Sequence, residues 1–117
     1  MKAAAIALAI ELLHPSSGAS SLAPLLESVA KETGVDALAL VAYVEHESRF
    51  RASAVSPDGL DHGLAQVRAT WQPACSGAWD APSCVAERAR LLEPAYNLRI
   101  LAGKLRAIQR YEKGITK

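Results

Sequence analysis

The chain has 117 residues, 50% of them hydrophobic and 21% charged, with 13 basic residues against 12 acidic ones and a formal net charge of +1. That length supports one domain able to bury its own core and leaves no room for a second, and the balanced charge excludes a general electrostatic drive toward nucleic acid. Three histidines and two cysteines occur without CxxC or HExxH spacing, so neither a metal ion nor another cofactor is expected.

Residues 1–20, MKAAAIALAIELLHPSSGAS, carry two readings. Lys2, the apolar run 3–10 and the small residues Ser17 and Ala19 resemble an export signal with its cleavage site, whereas Glu11 and the Ala-rich composition suit a native helix. In either case residues 15–21 read as a joint, and the apolar run is too short to span a bilayer. The domain proper is expected over residues 21–117. Ser21 is placed as the cap of a helix whose Leu22, Leu25, Leu26, Val29 and Ala30 share one face, with Pro24 tolerated in the first turn and Gly34 as the stop.

Asp36 then caps a second helix, DALALVAYVEHES, that is apolar on most of its faces and forms an αα-hairpin with the first. Glu47 falls in its last turn, one turn after Tyr43, Val44 and Leu40, and is expected to lie against apolar surface. Desolvation and the negative end of the helix dipole would both raise the pKa of a carboxyl group so placed, which suits a general acid. The alternative is that Glu45 and Glu47 merely end the helix in solvent.

From 49 to 66 the helical period is lost and Ser, Pro, Asp and Gly are dense. Residues 54–55 and 64–67 are expected as short extended segments on either side of a turn at Pro57-Asp58-Gly59, in a small hairpin or irregular loop. Gly63, having no Cβ, would let the backbone approach the glutamate or a sugar; an ordinary turn glycine is the alternative. Cys75 and Cys84 bracket SGAWDAPS and read either as free buried thiols or, in an exported chain, as a disulfide. A short amphipathic helix is expected over 85–92. Pro94 opens the last helix, with Leu98, Leu101, Ala102, Leu105 and Ile108 as its buried stripe and Gly114 as its stop. Asn97 interrupts that stripe, and a buried amide must be hydrogen-bonded. Tyr96 is either a cleft residue or packing.

Three blocks carry a resemblance: Glu47-Ser48-x-Phe50, then Ala54-x-Ser56 with Asp58-Gly59-x-Asp61-x-Gly63-Leu64-Ala65-Gln66, and Glu93-Pro94-x-x-Asn97-Leu98-x-x-Leu101-Ala102-Gly103. Their order and spacing, over residues 20–112, resemble the lytic transglycosylase (SLT) family of the lysozyme-like superfamily, most of all its small members that accompany secretion, pilus and conjugation machines. The resemblance implies a mainly α, lysozyme-like α+β fold with helices around a glycan cleft. It also implies a periplasmic or secreted location, peptidoglycan strands as substrate and the secretion or conjugation machinery as partner. The chain departs from the family in reaching Lys117 without the later Ala-Tyr-Asn-Ala-Gly block, so the family's C-terminal helix is expected to be missing.

The implied reaction breaks the β-1,4 bond between N-acetylmuramic acid and N-acetylglucosamine. Glu47 is the acid, the sugar's own C6 hydroxyl attacks, and a 1,6-anhydro product leaves. Asp61 matches the aspartate that assists retaining lysozymes, which makes hydrolysis the rival reading. Ser48 is expected to orient the Glu47 carboxylate or the N-acetyl group and Gln66 to contact substrate or the backbone of the Glu47 helix, or each to be structural, and Asn97 to fix the fold near the glutamate. A peptidoglycan-binding assembly module without catalysis is the third reading.

Overall fold

The computed structural model describes residues 1–116 and is mainly α-helical, with one small antiparallel hairpin. In chain order the elements are α1 (Ala3–Leu13), a 3-10 turn (Ala19–Leu22), α2 (Ala23–Thr33), α3 (Ala37–Ser48), β1 (Asp61–His62) and β2 (Val67–Arg68). Two further 3-10 turns (Ala69–Trp71 and Pro73–Cys75), α4 (Pro82–Arg90) and α5 (Pro94–Thr116) follow. Among the described residues no helix is long and apolar enough to cross a membrane.

Residues 3–13 form a helix folded onto the rest of the chain. Ile6 and Ile10, one helical turn apart, are fully buried where α1 meets α2 and α3. Each such side chain contributes about 2 kcal/mol by leaving water. The opposite face, with Leu8 and Leu12, is exposed.

The start of α2 differs from expectation. Ser21 lies inside the 3-10 turn, and Leu22, itself in helical conformation, occupies the cap position without a side-chain bond. Because the turn runs straight into the helix, there is no extended residue from which a serine hydroxyl could reach the first amides. Gly34 ends α2 at φ +74°, where its N–H donates to the Ala30 carbonyl. Asp36 caps α3 by accepting the Leu38 N–H at 3.0 Å.

Around the hairpin, Val55 bridges to His62 across the turn at residues 57–59, and β1 pairs with β2 in the register Asp61↔Arg68 and His62↔Val67. Leu64, Ala65 and Gln66 are therefore a turn and not an extended segment; Gly63 at φ +78° and Gln66 at φ +51° reverse the chain. α4 begins at Pro82, before the expected Val85, because a proline needs no partner for its missing N–H in a first turn.

Leu98, Leu101 and Ala102 of α5 enter the core, and Leu105 packs at its margin. Ile108 does not: it is 53% exposed. Nor does Gly114 stop the helix, which continues through it to Thr116. One glycine costs about 1 kcal/mol inside a helix, too little to end it without a capping turn. Two arginines of α5 reach α2 at the surface: Arg99 is bidentate on Glu32 at 3.0 Å, and Arg106 donates to the Thr33 carbonyl.

Candidate active site

Asn97 ties three parts of the chain together. Fully buried, it accepts the Ala65 N–H through Oδ1 at 2.7 Å, and its Nδ2 donates to the carbonyls of His62 and Leu91, each at 2.8 Å. The polar atoms of its side chain are thus satisfied by the backbones of the hairpin and the α4–α5 turn, as a buried amide requires. Gly63 serves this contact and not an approach to the glutamate: a Cβ there would collide with Asn97 Nδ2 and the Leu91 oxygen. Gln66 closes the same turn from inside, its Nε2 donating to the carbonyls of Ala54 (3.1 Å) and Gly63 (3.0 Å).

This knot connects to the end of α3 through the backbone. The Arg51 N–H donates to Ser48, the Ala54 N–H to Arg51, and the Gly63 N–H to Ala54 at 2.7 Å. Ser48 is 2% exposed, and its hydroxyl donates to the Val44 carbonyl one turn back at 3.3 Å. It finishes the helix and leaves the Glu47 carboxylate alone. After it, Arg49 (φ +52°) and Phe50 (φ +63°) are consecutive non-glycine residues in the left-handed region, a conformation that persists only where packing holds it.

Glu47 stands on this rigid end and is half-buried. Its apolar setting is narrower than expected, because Leu40 and Val44 are buried beside it but Tyr43 is exposed. Among the described residues its carboxylate has no hydrogen bond or ion pair. Burial, and after it the Glu47 charge, raise the Tyr43 phenol above its ordinary pKa, which puts that phenol within electrostatic reach of the carboxylate. Glu45, on the same turn, is occupied by the His14 imidazole.

Asp61 is occupied too. Arg68, its cross-strand partner, donates to its two carboxylate oxygens at 3.0 and 3.4 Å, and the Ser56 hydroxyl accepts its N–H. Ser56 also binds Asp58, whose carboxyl is held below its ordinary pKa chiefly by that hydroxyl and then by the Leu60 amide. Next to Arg68 the Trp71 indole is 71% exposed, with the Arg68 guanidinium 5.8 Å and the Lys104 ammonium 5.5 Å from its ring centre. An exposed flat ring flanked by cations can stack on a sugar and attract its carboxylates.

Tyr96 donates its hydroxyl to Glu87 at 2.7 Å, an oxygen it shares with Gln72, and that bond foremost raises the phenol's pKa. Arg90 covers its ring at 4.0 Å. It lines a cleft of about 360 Å³ with Arg90, Glu93, Ala95 and Arg99 that does not include Glu47. Cys75 and Cys84 are joined by a disulfide, with their Cα atoms 4.6 Å apart. It closes the loop bearing Trp79, whose ring is covered by Arg88 at 4.0 Å.

Gly63, Gln66 and Asn97 thus meet in one knot, tied to Ser48 through the backbone, while Asp61 with Arg68 and Tyr96 with Glu87 form separate clusters. Sequence reasoning did not single out Tyr43 or Trp71 as site residues. Tyr43 could have been found from its i, i+4 spacing to Glu47, whereas the exposure of Trp71 has no signal in the chain. No family model, curated protein or solved structure matches this chain.

Proposed function

We propose that this protein is a peptidoglycan lytic transglycosylase of lysozyme-like build, with Glu47 as its acid and base. One observation carries the reading. Of the carboxylates at the end of α3 and in the hairpin, Glu45 is taken by His14, Asp61 by Arg68 and Asp58 by Ser56, and Glu47 alone is unpaired on a fixed, half-buried helix end. A general acid must have its proton free to give.

In this mechanism the Glu47 carboxyl donates its proton to the glycosidic oxygen as the bond from C1 of N-acetylmuramic acid breaks. The resulting carboxylate then takes the proton of the C6 hydroxyl while its oxygen bonds to C1. No water enters, and the acid is regenerated with a 1,6-anhydro end on the product. Asp61 is not required. Its two bonds to Arg68 favour this route over a lysozyme-type hydrolysis in which Asp61 would face the reacting carbon.

Trp71, with Arg68 and Lys104 beside it, supplies an exposed surface suited to the glycan strand and its acidic substituents. The disulfide suits an oxidising compartment, the periplasm or the medium, where peptidoglycan is met. Service to a secretion, pilus or conjugation machine belongs to the same proposal and rests on the resemblance alone. Digestion of purified murein, with mass spectrometry of the soluble products, tests the reaction: anhydro ends support it, reducing ends support the hydrolase, and binding without release supports a module that only docks.

A further inference from the structure

We infer that His14 is a positioning residue for Glu47, so that α1 is part of the catalytic apparatus as well as of the core; this rests on the reading of Glu47 as the acid. His14 closes α1, its N–H donating to the Ile10 carbonyl at 2.8 Å, and α1 is itself anchored by the fully buried Ile6 and Ile10. From that anchor the imidazole reaches α3 at two points. Its Nε2 meets a Glu45 carboxylate oxygen, and its ring stands edge-on to Phe50, with centroids 5.6 Å apart and planes at 75°.

Glu45 and Phe50 bracket Glu47 along the chain. Between them lies the stretch with least intrinsic preference for its shape: the last turn of α3, where helices fray, and the left-handed pair Arg49–Phe50. The Ser48 hydroxyl binds backward into its own helix, and its carbonyl accepts from Arg51 further along the chain, not from α1. The external restraint on this turn from the α1 side is therefore His14, which grips it before and after the unpaired carboxylate. Reacting groups must be held within a fraction of an ångström, and a misplacement of about 1 Å can cost a hundredfold in rate. A side chain that never touches the sugar can in this way set the turnover rate.

The test uses the full chain with His14→Ala and His14→Gln. Amide hydrogen exchange over residues 46–51 reads the grip directly, and kcat and KM on murein read its use. With His14→Ala we expect exchange there about tenfold faster and kcat about tenfold lower at unchanged KM. Gln, whose amide can still donate to Glu45, should recover part of both. If His14→Ala does not fold, Glu45→Gln, which keeps the shape and weakens the same contact, should move both readouts in the same direction by less. Unchanged exchange, or faster exchange with unchanged kcat, overturns the inference. A parent chain that cleaves no murein defeats the transglycosylase reading instead, and the exchange result alone then supports or overturns the grip of His14 on the turn.

Discussion

Gly63 and Asn97 are fitted to each other: the backbone of one passes so close to the amide of the other that no side chain could stand between them. Gly63 also takes φ +78°, so substitution there meets both a collision and a strained backbone. Gly63→Ala should cost about 3 kcal/mol of stability. Chemical denaturation measures it, and a loss below about 1 kcal/mol would show that the knot yields.

Asn97→Leu nearly keeps volume but strands the Ala65 N–H and two backbone carbonyls in a dry interior. A cost of about 3 kcal/mol is expected, most of it the desolvation of the abandoned groups. The hairpin should loosen first. Faster exchange at Ala65 than at Leu101 in the variant is the corresponding observation.

Reading the chain alone recovered the parts whose cause is local. The Asp36 cap, the Gly34 stop, the place of Glu47 in its last turn and the reversal at residues 57–59 each follow from residue types a few positions apart. The burial of Asn97 was legible because it breaks an apolar stripe, yet its partners were not, since they lie in the hairpin and in the α4–α5 turn. Gly63 and Gln66 each have a structural reading beside the functional one in the sequence, and in the fold both serve that knot. Ile108 shows the opposite limit: its period matches the stripe, but that face of α5 is exposed where Ile108 stands. That Glu45 and Asp61 are occupied depends on His14 and Arg68 arriving from other elements, which no spacing announces.

The disulfide should be measurable as the absence of free thiol in unreduced folded protein and the release of two after reduction. Replacing both cysteines with serine should lower stability by about 2 kcal/mol, the size expected for so short a loop. Murein cleavage should persist, because the loop carries Trp79 and not Glu47. Free thiol in unreduced exported protein would contradict the oxidising location.

Asp61→Asn removes the charge facing Arg68 while keeping its shape. Since the pair is partly exposed, the stability cost should stay below about 1 kcal/mol. Most of the cleavage rate and the anhydro ends should survive. Collapse of activity with an intact hairpin would return Asp61 to the chemistry and favour the lysozyme-type reaction.

The most direct measurement compares murein digests by the parent and by Glu47→Gln, quantified by mass spectrometry of the released muropeptides. Glutamine keeps the size of the side chain and takes away the transferable proton, and Glu47 has no partner among the described residues whose loss would unfold the helix end. The parent should release 1,6-anhydro-muramic products, and the variant should be slower by more than about a hundredfold while its circular dichroism is unchanged. Reducing ends from the parent, or more than about a tenth of its rate in the folded variant, would contradict the account.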